Sequence, residues 1–517
     1  MNPFRMKLLR PIAFFALVLF VFPRITSAQQ GKVNVIFWFD TEDYLLPADD
    51  DAAKRLAEML TARNIHATFK VVGEKARVLE QRHRTDVIEA LRLHTIAYHS
   101  NFHSVHPAPA EYLADCGLLD GIGEFVRHEA RGAADVRRIF NVPTLACYGQ
   151  PGSSWAPQAI AALGECGISN DGIPCYVDSG NHVGLKGKPY WYCGALVVYD
   201  MSPNETRMDL WQPDALEKAT QTFAQIAERL KREGGGLISI YYHPCEWVHQ
   251  QFWDSVNFAR GANPPRELWK PEAQRPPEQT DAAFERWGKY IDFIRGTPEI
   301  GFITAAQLPK IYPDRLSSEG ATPAEMLELA TRIADPASKG IDFQQIGEKA
   351  FSPADQFGLL TAGVARYFAP GEARPQSIHV PDHLLGPDGA PPASAAEPMT
   401  LQWLTFRDAL LDATDYVQIH HRIPARVFIG PDPVAPADFL VGVARAYNAL
   451  HGDKQRPDQV ELGRNVELLT ARHVVEDKPN VYGGWVIHRA NYRAPKILDV
   501  ARLQAWTLKP AILDGTK

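Results

Sequence analysis

The stretch Phe37-Trp38-Phe39-Asp40-Thr41-Glu42-Asp43-Tyr44 runs an apolar strand straight into three carboxylates. Burying acids together costs desolvation and mutual repulsion, so the pattern calls for a nearby positive charge, and a divalent metal supplies one. Further along, His99-Ser100-Asn101-Phe102-His103 sets two imidazoles four residues apart. On a helical turn that spacing puts both on one face, and neutral imidazoles with one carboxylate suit Zn²⁺ and its transition-metal neighbours. A third stretch, Gly235 to Pro244, is the most strand-like run in the chain and ends at His243.

Each feature has an ordinary explanation when taken singly. Two histidines can be satisfied in a core, acids gather at helix starts, and a histidine can close a buried strand. The helix-start explanation suits Asp43 and Asp49-Asp50-Asp51 but not Asp40. Taken together and in this order, the three stretches favour one metal site. His94 and His106 flank the imidazole pair as bystanders, with His106 the better placed to contact a ligand from behind.

Strand and helix alternate around these stretches. Helical spacing over 52–64 is followed by a strand at Ala67–Gly73, a helical stretch over 78–93, and a further helix over 122–140. The run from Pro143 to Trp155 reads as a short strand feeding a Gly/Pro-rich turn, which could offer backbone N–H groups to an oxyanion. Gly167 to Gly172 and Ile300 to Thr304 read as later strands. Such alternation predicts a parallel α/β architecture with chemistry at the carboxyl ends of the strands, closing near Ile311. Between His249 and Thr280 the chain is rich in Trp, Asn, Arg and Pro, as in an ordered lid or groove wall.

The chain has 517 residues and a formal charge of −7, too long for one core and too acidic for a nucleic-acid partner. Residues 1–28 read as a signal peptide: Arg5, Lys7 and Arg10, an apolar run from Pro11 to Phe22, then Thr26-Ser27-Ala28. That run is short for a membrane span, so cleavage to an exported, periplasmic or extracellular protein is expected. The six cysteines, all in the first half and without a CxxC, leave disulfides and free thiols equally open.

Beyond Asp314 the pattern turns helical. Ser352 to Tyr367 resembles Ala435 to Tyr447, each with Pro at the first turn of a helix and each followed by Arg-Pro, at Arg374-Pro375 and Arg456-Pro457. The predicted organisation is a signal peptide at 1–28, a catalytic domain at 29–312, a first helical repeat at 313–385, a linker at 386–398 and a second repeat at 399–517.

The motifs resemble those of the polysaccharide deacetylase family, carbohydrate esterase family 4 with its NodB-homology domain. Asp40-Thr41-Glu42-Asp43-Tyr44 follows the Asp-Val-Glu-Asp-Tyr opening of one branch, His99–His103 meets His-Ser/Thr-x-x-His, and Tyr241-Tyr242-His243-Pro244 meets the terminal strand and histidine. The resemblance spans Val33 to Ile311. It implies a distorted (β/α) barrel and metal-dependent removal of N-acetyl groups from a carbohydrate polymer. In this chain it implies Asp40 as base, His243 as acid, and His99 and His103 as ligands of zinc, or of cobalt or nickel. Glu42, or else Asp43, completes the ligands, because Thr41 stands where the family usually carries its metal carboxylate. Tyr148 or its neighbours would offer the oxyanion N–H.

One departure is plain: Gly149-Gln150-Pro151 lacks the arginine that usually orients the base, so either Gln150 or a distant residue replaces it or the activity has drifted. The repeated segments resemble modules that bind cell-wall polymers, and suit equally a domain that only packs against the barrel. Two competing functions follow, a hydrolase of another C–N or glycosidic bond on the same barrel, and a non-catalytic wall-binding protein.

Overall fold

The computed structural model describes residues 32–368, 376–394, 396–397 and 399–515. The signal-like segment, Arg374-Pro375 and part of the 386–398 linker (Ala395, Pro398) lie outside them. Strand β1 (Val33–Thr41) is buried along its whole length, as its unbroken apolar run requires of a central parallel strand. After it come helix α1 (Pro47–Thr61), β2 (Thr68–Val71), helices α2 (Gly73–Gln81) and α3 (Thr85–Arg92), and β3 (Thr95–Tyr98). The helical stretch predicted over 78–93 is thus two helices, broken where His83 takes a left-handed φ of 56°.

Short strands β4 (Cys175–Val177), β5 (Tyr190–Tyr192) and β6 (Ala195–Val198) precede β7 (Gly236–Tyr242) and β8 (Ile300–Ile303). The parallel order is β3-β2-β1-β7, with β8 paired to the first half of β1. The register sets Asp40 opposite Lys70 of β2, and Phe39 opposite Tyr242 just before His243. One rim therefore collects Asp40, Glu42, His99 and His243.

The strands predicted at 143–155 and 167–172 are isolated bridges instead. Tyr148 pairs with both Tyr98 and Tyr176, linking the parallel sheet to a second sheet of β4, β6, β5 and Lys509–Pro510. Among the described residues no continuous ladder closes the two sheets into a barrel. The architecture is mixed α/β, and the distorted barrel expected from the resemblance is seen only as this pair of joined sheets.

Residues from Leu316 to Leu462 form a second apolar core with many helices. The two similar segments are the helices Pro353–Ala365 and Pro436–Tyr447, whose Phe357 and Phe439 rings lie 6.5 Å apart. Each is preceded by a two-stranded hairpin with glycine at φ 59°, Gly347 and Gly430 respectively. Glycine first in a two-residue loop matches the right-handed twist of hairpin strands. The similarity therefore includes β-structure that the helical pattern did not reveal.

After Leu462 the chain returns to the α/β core. Tyr482, Ile497, Leu498 and Leu508 join it, and Ser153 Oγ donates to Tyr482 O at 2.8 Å. All six cysteines are free thiols, five of them buried. Among the described residues no helix is long and apolar enough to cross a membrane.

His94 is a buried packing residue. Its Nδ1 accepts from Ala67 N–H at 3.2 Å, so Nε2 carries the hydrogen and faces Ala57 O at 2.9 Å. Burial, with His66 beside it, pushes its pKa down to about 4 from the ordinary 6.5. Between those values the unfolded chain binds the extra proton, so the contribution is complete above 6.5 and lost as pH falls toward 4. Urea unfolding across that window should show a stability loss of up to about 3 kcal/mol that His94→Gln lacks. An equal slope in both proteins would contradict it.

Candidate metal centre

His99 and His103 do not share a helical turn. His99 continues β3, its N–H donating to Val71 O at 3.1 Å, and the chain then doubles back. Ser100 and His103 take left-handed φ values of 65° and 58°, and Ser100 Oγ accepts from His103 N–H at 3.1 Å. Two non-glycine residues in that region cost about 1–2 kcal/mol each, a strain typical of functional loops. The spacing of four brings the imidazoles together through this turn instead, with ring centroids 5.0 Å apart.

Glu42 faces both rings. Its Oε2 lies 2.9 Å from His103 Nε2 and 3.4 Å from His99 Nε2, and all three side chains are buried. His99 Nδ1 lies 2.9 Å from Gly149 O, which can only accept, so Nδ1 holds the hydrogen and Nε2 presents a lone pair. His103 Nδ1 bonds Ser104 Oγ at 2.6 Å, while its Nε2 makes no hydrogen bond. Imidazoles fixed from behind and converging with one carboxylate form a donor set that fits a divalent cation. Burial opposes charge on Glu42, yet His103 and His243 hold its pKa well below the carboxylate range. Burial, with Lys70 and His103 nearby, lowers the His99 pKa against the pull of Asp40 and Glu42.

Asp43 does not join this set. It lies fully buried beside His249 and Glu272, because consecutive residues after the strand point to different sides. Tyr148 is also turned away. Its ring packs among Tyr98, Phe125 and Tyr176, and its N–H is spent on Cys175 O at 3.0 Å. Gln150 does line the cleft, with Nε2 donating to Gly152 O at 2.9 Å. His106 pairs with Glu111 at 2.7 Å and does not line the cleft.

Asp40 faces His243, with Oδ2 3.6 Å from Nε2. His243 caps the short helix Pro244–Trp247, and Glu246 receives both its N–H at 3.0 Å and its Nδ1 at 2.8 Å. Burial disfavours the imidazolium, but Glu42 and Glu246 outweigh it and push the pKa up to about 9.

A cation not singled out from the sequence sits beside Asp40. Lys70 Nζ lies 2.8 Å from Asp40 Oδ1 and 2.7 Å from Asp178 Oδ2, and donates to Val177 O at 3.0 Å. Val177 O and Asp178 Oδ2 accept hydrogen bonds from this buried ammonium, Asp40 Oδ1 meets it as an ion pair, and the Trp38 ring centroid lies 4.0 Å away. Burial, with Asp40 nearby, pushes Asp178 up to about 7 against the pull of Lys70. Asp40, His99 and Asp178 also converge, but Lys70 already supplies the positive charge there.

These groups line a cleft of about 390 Å³, walled by Tyr241, Phe252, Asp254 and Trp485. Asp254 Oδ2 accepts from Trp485 Nε1 at 2.9 Å, so the returning C-terminal stretch forms one wall. Trp253, Phe258 and Trp269 pack beneath it with Tyr44 as a small core rather than lining it. A larger cleft of about 470 Å³ lies at Asp314, Asp355 and Lys509, where Lys509 pairs both acids at 2.8 and 3.0 Å. It brings together no comparable set of donors.

Lys70, Asp178, Asp254, Glu246 and Trp485 escaped sequence reasoning. Two of them had a signal. Lys70 is a charge inside an apolar strand, and Tyr176-Val177-Asp178 repeats the strand-then-acid pattern of Phe39-Asp40.

No family model and no curated protein matches the chain. Solved structures do match. A protein from Mycobacterium smegmatis described as a polysaccharide deacetylase aligns at 15% identity and a TM-score of 0.34, over 55% of this chain and 92% of its own. A peptidoglycan deacetylase from Bacillus subtilis aligns at 13% and 0.26, over 55% and 92%, and an allantoinase at 12% and 0.36, over 55% and 93%. Over about half its length the chain is thus similar to solved structures described as polysaccharide or peptidoglycan deacetylases and to others described as CE4-family pseudoenzymes, at identities so low that its chemistry must be judged from its own residues.

Proposed function

We propose that this chain is an exported, metal-dependent hydrolase that removes N-acetyl groups from an amino-sugar polymer, of the cell wall or an exopolysaccharide. The observation that carries the proposal is the convergence of Glu42, His99 and His103 beside Asp40 and His243 in one cleft. Glu42 and the two Nε2 atoms would hold zinc, or cobalt or nickel. Bound there, the cation makes water acidic enough to lose a proton at neutral pH and an amide carbonyl more electrophilic.

Asp40 takes the proton from the attacking water. Lys70 pairs with that carboxylate and holds it in place, where the family resemblance leads one to expect an arginine. His243, its Nδ1 held by Glu246, gives its Nε2 proton to the departing amine, which leaves as the free amino sugar beside acetate. Tyr241, Phe252 and Trp485 present flat apolar faces of the kind that stack on sugar rings and exclude water.

Acetate release from N-acetylglucosamine oligomers tests the proposal. Activity should vanish on chelation, return with Zn²⁺, and be absent from a His99→Ala/His103→Ala variant that retains its fold. Release that survives chelation and the double substitution would overturn it.

A further inference from the structure

A second group of donors lies behind the cleft, at the neck of the segment that covers it. His249 and Gln274 pair as an antiparallel bridge, and Gln250 N–H donates to Ala273 O at 2.9 Å. The intervening loop carries Phe252, Asp254 and Ser255 into the cleft. At this neck His249 Nδ1 lies 2.7 Å from Glu272 Oε1 and 3.1 Å from Asp43 Oδ2. All three residues are at most 4% exposed. Although the atoms are this close, none of the three makes a hydrogen bond of acceptable direction, and Glu272 Oε2 is equally unpartnered. Three buried donor atoms gathered this closely without a well-directed hydrogen bond among them are what a coordinated ion leaves in a protein scaffold.

Charge leads to the same place. Four buried carboxylates gather here: Asp43, Asp49, Asp50 and Glu272. Lys75 pairs with Asp49 and, at 2.6 Å, with Asp50, while Arg82 meets Asp50 at 2.8 Å. Lys75 touches Asp43 only through its backbone oxygen. The two carboxylates without a Lys or Arg partner are Asp43 and Glu272, and a divalent ion would balance both with His249 neutral.

We infer that Asp43, His249 and Glu272 form a second divalent-cation site, which clips the neck of the 250–273 cover loop to the residue next to Glu42. One imidazole with two carboxylates suits Zn²⁺ or Mn²⁺, whereas Ca²⁺ and Mg²⁺ prefer oxygen alone. The role is structural: closing a loop at its neck fixes the walls it contributes to the cleft.

Zn²⁺ content after dialysis tests this independently of the first site. The His99→Ala/His103→Ala chain should still hold about one Zn²⁺, and adding the isosteric Glu272→Gln should remove it. In the same double-variant background, Zn²⁺ should slow proteolysis within 250–273, a readout that needs no change at the second site. If the His99→Ala/His103→Ala chain binds no Zn²⁺ and shows no such protection, the inference is wrong and these residues are a buried ion-pair network. If the native chain holds one Zn²⁺ that survives that double substitution and is lost with Glu272→Gln, the second site stands and the proposed catalytic centre falls.

Discussion

Replacing Asp40 by Asn is expected to lower the turnover of N-acetylated oligomers by about 10²–10⁴-fold, the usual contribution of a positioned general base. Metal content should not change, because Asp40 is not among the three converging donors at Glu42, His99 and His103. The substitution is nearly isosteric, and Lys70 keeps its hydrogen bonds to Val177 O and Asp178 Oδ2, so the fold should survive. KM should move little, since the lost proton transfer belongs to the transition state and not to substrate binding. An Asp40→Asn enzyme within a few-fold of native activity would remove Asp40 from the mechanism.

The second large effect is on stability. Lys70→Met leaves Asp40 and Asp178 buried around a missing cation and should cost about 3–5 kcal/mol, the range found when one partner of a buried pair is removed. Denaturant unfolding reads this directly, and Lys70→Met with Asp178→Asn should recover part of the loss by removing one orphaned charge. An unchanged midpoint would mean that the ion pairs around Lys70 carry no net stability. The local packing explains why the cation comes from β2. A Cβ on Gly149 would land on Lys70 Nζ and Asp178 Oδ2, so the turn that lacks an arginine is glycine where the ammonium passes.

Much of the candidate centre was legible because such a grouping of acids and imidazoles is costly to build by chance. Asp40, Glu42, His99 and His243 each stand at or beside a strand end, and parallel pairing brings those ends to one rim. The spacing of His99 and His103 was informative although the helix imagined for it is absent; the strained turn at Ser100 and His103 gives the same proximity. Glu42 and Asp43 could not be told apart in sequence, since adjacent carboxylates differ only in the side to which the backbone turns them. Tyr148 failed for a related reason: its N–H is consumed by pairing with Cys175, a contact set by a bridge too short to leave a strand pattern.

What depended on distant chain was not legible. Trp485 reaches the cleft only because the chain returns to the α/β core after the helical residues, and no local periodicity encodes a return. The hairpins before Pro353 and Pro436 were likewise hidden, being three residues per strand and signalled only by Ile346-Gly347 and Ile429-Gly430.

The most direct measurement of the central claim is where heavy oxygen goes when the purified, zinc-loaded chain acts on N-acetylglucosamine oligomers in heavy-oxygen water. The account predicts the label in released acetate, with oligomer length unchanged and free amines appearing in equal number. Label at a new reducing end, with shortened oligomers and no acetate, would contradict it and make the chain a glycosidase.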